Sequence, residues 1–367
     1  MENKKYLKNL FVIAAIILSV AFAGGCATPA ADEPAPSPEA AAPAPDSEPE
    51  LKSVEIEPEP EPEPEPEAHL PLNGEGVDAD DPRLLKRPLS VKIENTPQSR
   101  PSMGLTYADV VYETLTEGGI TRFNAIFHSR IPAEAGSVRS ARNSDLSIVP
   151  QYDALFAFSG TNAEVWQGVR AIIRSHISEG NAGGSFYRVD QKYAPHNLYY
   201  NPSAGYERFE ELGHDIYIET PRGLIFGEND LESLGGERAE EIFVPFSAPA
   251  FDVTWKYDPG AGAYFRYING EAQVDESDLT KQVKAENVVI LSAMYLSGGG
   301  NGTYILNLNG EGDAVLFQDG MRVEATWQTD GSHPPILKSQ SGETINFKPG
   351  QTWFQVPGNF SAVEVIR

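Results

Sequence analysis

From residue 240 onward the chain is cut into short runs in which apolar and polar residues alternate, and most runs are closed by Gly, Pro or Asp-Gly. Successive side chains of a strand point to opposite faces, so this period of two is what a half-buried strand requires. "FDVTWKYDPGAGAYFRYING" holds two such runs about "DPGAG", a hairpin signal. "NVVILSAMYL", "TYILNLNG", "DAVLFQDG", "MRVEATWQ", "TINFKPG" and "TWFQVPG" follow at short spacing. The pattern predicts a mostly antiparallel β domain over residues 236–367.

Residues 87–235 read differently. "RPLSVKIEN" alternates Leu89, Val91 and Ile93 and predicts a strand. "ADVVYETLTE" and "TRFNAIFHSR" predict two more around a Gly-Gly step, and "DALFAFSG" a buried one. "SARNSDLSIV" predicts a short helix capped by Ser140 and ending before Pro150. "TNAEVWQGVRAI" and "SAGYERFEEL" predict two more, the first capped by Thr161 or Asn162. The expected fold class is α+β, a mixed α/β domain at 87–235 followed by the β-rich one.

The first 86 residues belong to neither. "MENKKYLKNL" is basic, the apolar run after it is too short for an ordinary membrane span, and it ends in "AGGC" at Cys26, the one cysteine of the chain. A lone cysteine after small residues at such a place resembles a bacterial lipobox, with Ala23 where Leu is usual. That resemblance implies cleavage before Cys26, a diacylglycerol on its sulfur and attachment to a membrane; the alternative is a plain signal peptide or an uncleaved anchor. Residues 27–86 are rich in Pro and Glu and include "EPEPEPEPEPE" at 57–67. Proline fixes φ and removes a donor, and the glutamates repel, so an extended, disordered stalk is expected. A calcium-buffering or partner-binding tail is the sharper alternative.

Charge follows this division. The chain carries a net −25, of which 27–82 account for −16 and 1–26 for +2, leaving −11 for the remainder. An acidic chain lacks the basic face that nucleic acid needs. With one cysteine there is no internal disulfide, and with none in the folded part thiol catalysis is excluded. No HExxH, Cys/His cluster, GxSxG elbow or phosphate loop occurs, so no metal or cofactor is implied.

Polar clusters in the first half carry what chemistry remains. "GSVRSAR" at 136–142 sets Arg139 and Arg142 three apart. Arginine grips carboxylates and phosphates through two parallel donors. If Ser140 opens a helix, both cations sit at its start and call for an anion, either a ligand or Glu113, Glu117 or Asp145. "TEGGITR" places Glu117 and Arg122 about the glycines, as a cross-strand pair or as a base beside a site. "YAPHNLYY" presents His196 and Asn197, as structural groups or as a proton shuttle and an amide. Tyr193, Tyr199 and Tyr200 are candidate faces for a sugar. "GNAGGSFYR" is expected to be a mobile loop, and the tryptophans and tyrosines of the second half to be core.

These same segments, from "RPLSVKIENTPQSRPSMGLTYADVVYETLTEGGITRFNAIF" through "GSVRSAR", "YRVDQKYAPHNLY" and "WKYDPGAGAYFRYINGEAQVD" to "GQTWFQV", resemble the YerB-like lipoproteins, a bacterial family with a two-part domain of unknown function. The resemblance covers residues 87–358. It implies two adjoining domains dividing near 235 and an extracytoplasmic lipoprotein. It places Arg100, Glu117, Arg122, Arg139, Arg142, His196 and Asn197 within the family's motifs, and it supplies no catalytic residues. Where the family typically shows Asn-Asn after the first strand, this chain has Glu94-Asn95.

Three functions follow as expectations. The first is a lipid-anchored binding or scaffolding module, with Arg122, Arg139 and Arg142 holding an anionic cell-wall polymer. The second is an envelope enzyme acting on a glycan or phosphodiester, with Glu117 or His196 as acid/base. The third is a structural module whose clusters are internal ion pairs and whose partners are envelope proteins.

Overall fold

The computed structural model describes residues 66–299 and 303–366. The signal segment, Cys26 and the Pro-Glu run as far as Glu65 lie outside the described residues. The described residues are mostly β, with three α-helices and several sheets.

A long sheet is the frame. Its strands lie in the order Thr344–Ile345, Ile336–Ser339, Met321–Thr329, Gly310–Gln318, Asn287–Leu291, Thr352–Val356, Val110–Leu115, Thr121–Phe127, Leu89–Glu94, Leu155–Ala157 and His176–Ile177. The outer pairs on the C-terminal side are antiparallel, as the alternation predicts. The middle is mixed: Thr352–Val356 runs parallel to both Asn287–Leu291 and Val110–Leu115, with Trp353 opposite Val111. That pairing puts strands from either side of residue 235 into one sheet.

Both faces are covered. Leu89, Val91 and Ile93 join Val111, Phe123 and Trp353 in a core shared with a second sheet that contains Glu241–Val244, Val253–Asp258 and Ala263–Ile268. Trp255 from that sheet packs edge-on to Trp353 at 5.3 Å. On the other face Tyr112, Ile126 and Phe354 pack with Ile148, Val149 and Tyr152 of the helical side. Every residue of Leu89–Glu94, Val110–Leu115 and Thr121–Phe127 is buried, polar ones included. Polar side chains so placed need partners in the protein.

Two details depart from expectation, and a third decides between two expected caps. Order begins well before Arg87: Leu70 and Leu72 are fully buried, and Asp81 caps a 3-10 turn at Pro82–Leu85 by accepting Arg83 N at 2.8 Å. The first helix, α1 (Asp145–Gln151), starts later than Ser140 and contains Pro150. The cause is that residues 139–141 spend their backbone groups elsewhere: Arg139 N donates to Lys92 O, Ser159 N to Arg139 O and Ala141 N to Gly160 O. Asn162, not Thr161, caps α2 (Ala163–Gly168), accepting Val165 N at 2.8 Å, while the Thr161 hydroxyl donates to Ala141 O. The third helix, Pro202–Glu211, runs where "SAGYERFEEL" predicts it.

Candidate functional site

Strand parity distributes the polar residues. On the helical face, Lys92 and Glu94 of one strand, Arg122 and Asn124 of its neighbour and Thr114 of the next stand side by side. Segment 139–145 lies over them, tied down at Lys92 O. Lys92 Nζ donates to Asn124 Oδ1 at 2.7 Å and to Asp145 Oδ1 at 2.6 Å, with both ionic side chains fully buried. Burial pulls the Lys92 ammonium down from its ordinary range, and Asp145 opposes that.

Glu117 enters from the turn after Val110–Leu115, where Gly118 and Gly119 take φ of 71° and 73°. Such angles are open to glycine without a steric penalty. The turn points the Glu117 carboxylate at two arginines. Arg142 Nε donates to Oε2 at 2.6 Å and Arg142 Nη2 to Oε1, while Arg122 Nη2 reaches Oε1 at 3.2 Å. Burial alone would raise the Glu117 carboxyl, but the Arg142 hydrogen bond and both guanidinium charges override it and hold it at about 2. A carboxyl so firmly ionised does not suit proton shuttling near neutral pH. Asp145 turns back to accept Arg142 N at 2.6 Å.

Arg139 and His196 meet Glu94 instead. Arg139 Nε lies 3.4 Å from Glu94 Oε1, and His196 Nδ1 lies 3.0 Å from both Glu94 oxygens. Thr96 donates to the same carboxylate at 2.9 Å. Arg139 Nη1 also donates to Pro195 O. Arg122 lies among all these charges: burial, then the nearby Arg142, lowers its guanidinium to about 10. Its Nη1 donates to Ser140 O at 3.0 Å, and its buried Nε has no partner among the described residues. A cleft of about 270 Å3 opens at the Glu117–Arg142 side of this group, lined by Glu117, Ser140, Arg142, Thr161, Asn162 and Thr303.

The structure therefore brings Glu117, Arg122, Arg139, Arg142 and His196 to one end of one sheet face. It does not bring Asn197 or Arg100 into that group. The Asn197 amide is spent on Arg188 Nη1 and Val189 O. Arg100 lies on the opposite face, donating to Asn95 and to Ala250 O. Asn95 there donates to Glu113 Oε1, and Glu113 Oε2 accepts from Arg266 Nη2 at 2.6 Å. Of the expected stacking tyrosines, Tyr199 and Tyr200 are buried in strand Leu198–Tyr200 and offer no face, while Tyr193 is exposed. Lys92 and Arg266 were not singled out in the sequence, and each proves a fully buried cation. Among the described residues no three His, Cys, Asp or Glu side chains gather as a metal ion would need.

Two family models match the chain: the "Protein of unknown function (DUF3048) N-terminal domain" over residues 75–215 and the corresponding C-terminal domain over 242–354. A relative from Bacillus subtilis (strain 168), named "Putative lipoprotein YerB", is 29% identical over 284 residues, which is 77% of this chain and 84% of the relative. The crystal structure of the YerB protein from Bacillus subtilis superposes with a TM-score of 0.74 at 27% identity, covering 82% of this chain and all of the other.

Proposed function

The chain belongs to the two-part DUF3048 family, and we propose that it is a lipid-anchored extracytoplasmic module that binds an anionic ligand of the cell envelope at the cluster around Arg122. One observation carries the reading. Four cations (Lys92, Arg122, Arg139 and Arg142) are gathered against three carboxylates (Glu94, Glu117 and Asp145). A surplus cation in a half-buried cluster is costly unless an anion balances it. The crowding is visible in the lowered Arg122 guanidinium and in its Nε, which finds no hydrogen-bond partner among the described residues. Glu94, the residue that departs from the family's Asn-Asn, weakens the positive field without cancelling it. Anchorage through Cys26 is supported by the form of the N-terminal segment and by the lipoprotein name of the Bacillus subtilis relative.

A second reading has its own observation. Glu117 already occupies two donors of Arg142, as an internal clamp would. Thermal melting of the full chain against wall fragments and anionic wall polymers separates the two readings. A ligand that binds only the folded state raises its melting temperature. Binding at the cluster predicts a rise for wild type and none for a folded R139Q/R142Q variant. No rise for wild type, with a much lower melting temperature for the variant, favours the clamp.

A further inference from the structure

A second and larger cleft lies at the other end of the long sheet. Thr106–Asp109 precede strand Val110–Leu115, whose far end leads to Glu117. Glu286 and Gln351 precede the two strands parallel to it. A six-residue strand spans roughly 20 Å, so this cleft is separate from the arginine cluster. Its volume is about 630 Å3, a size ordinary for small-molecule sites.

The lining combines three kinds of group. Tyr107 and Phe265, both half-buried, give apolar ring surface from the two halves of the chain. Thr280 and Gln282 add a hydroxyl and an amide. Arg130 and Lys281 both stand near the Tyr107 ring, 5.7 and 5.9 Å from its centroid.

Charge pairing decides what fits. The acids that line the cleft are already engaged. Glu75 is held by Arg83 at 3.1 Å, Glu286 by Lys284 at 2.9 Å and by Gln351 N at 2.7 Å, and Asp109 by Ser129 and His128 N. The two cations are not matched in the same way. Arg130 donates to a carbonyl, Thr106 O, and has no ion-pair partner among the described residues. Lys281 reaches Asp278 at 3.7 Å, with both side chains exposed.

A ligand complementary to this lining has an apolar ring face for Tyr107 and Phe265, hydroxyls for Thr280 and Gln282, and a negative group for Arg130 and Lys281. We propose that the cleft binds an acidic saccharide, a sugar carrying a carboxylate or a phosphate. The inference uses none of the residues of the arginine cluster, so the two stand or fall separately.

The test is calorimetric titration of the full chain in a non-glycosidic detergent. The probes are glucuronate, N-acetylglucosamine 1-phosphate, their neutral parents glucose and N-acetylglucosamine, inorganic phosphate and adenosine monophosphate. The expected result is that an acidic sugar binds at least about tenfold more tightly than its neutral parent. R130Q/K281Q, which changes two exposed side chains and melts as wild type does, weakens that binding by about tenfold or more. R139Q/R142Q leaves it unchanged. Failure of both acidic sugars to bind at millimolar concentration overturns the proposal. So does equal binding by R130Q/K281Q, or loss of binding in a folded R139Q/R142Q. Inorganic phosphate or adenosine monophosphate binding as tightly as the sugars also overturns it, since the saccharide ring then contributes nothing of its own.

Discussion

Arg142 grips Glu117 with two donors of one guanidinium, Nε to Oε2 and Nη2 to Oε1, and Arg122 shares the second oxygen from the neighbouring strand. The contact ties the turn at Glu117–Gly119 to the segment that carries "GSVRSAR". Because the folded-state carboxyl is held at about 2, below its ordinary 4.5, its contribution to stability is complete above pH 4.5. That contribution is lost as pH falls from 4.5 toward 2. Glu117→Gln should therefore destabilise the chain at pH 7 by about 1–3 kcal/mol, a range reduced for partial exposure to solvent. It should also flatten the acid limb of the stability curve. Urea melts of both proteins at pH 7, 4 and 3 decide it: an equal loss at all three pH values would show that the carboxylate charge is not what stabilises the contact.

Asp109 behaves oppositely. Burial lifts its carboxyl from 3.8 to about 6, against the hydrogen bonds it accepts from Ser129 and His128 N. The folded state therefore binds this proton more readily than the unfolded one, and the stability due to this group falls as pH rises from about 4 to about 6. Asp109→Asn keeps an oxygen for the two backbone donors and removes the titration. The variant should gain on wild type as pH rises through that window, by about 1–3 kcal/mol at pH 7. Parallel stability curves between pH 4 and 7 would refute it.

Much of this architecture is legible in the sequence, and the misses share a cause. The alternation that predicts Leu89–Glu94, Thr121–Phe127 and the C-terminal hairpins needs only local period, and the strands form there. The same alternation marks Lys92 and Glu94 as an outer, solvated face. Segment 139–145 covers that face, and nothing local announces a cover that comes from some 50 residues downstream. Strand parity also separates Glu113 from the arginines, because Glu113 shares its face with Val111 and Leu115, whereas Thr114 shares the face of Arg122. The pairing of Thr352–Val356 with Val110–Leu115 is long-range, and no period encodes it. The segment before Arg87 is hidden by composition: Leu70 and Leu72 follow an acidic proline tract that dominates any averaged reading.

The opposite face of the sheet supplies the last prediction. Arg266 and Glu113 are fully buried, joined at 2.6 Å, and the guanidinium lies 5.0 to 5.7 Å from the ring centroids of Trp353, Phe123 and Trp255. Burial lowers the Arg266 guanidinium and Glu113 opposes that, so the pair is held against a large desolvation cost. Removing one member leaves the other charge in an apolar surrounding, whereas removing both leaves a cavity that apolar side chains can fill. Arg266→Met should thus cost about 3–5 kcal/mol, and Glu113→Leu/Arg266→Met clearly less than Arg266→Met alone. Asn95 and Thr121 lose an acceptor in the double variant, which limits the recovery. Denaturant melts followed by tryptophan fluorescence read this directly, because Trp255 and Trp353 flank the pair. If the double variant is at least as unstable as Arg266→Met, the ion pair itself, and not the stranded charge, holds the two sheets together.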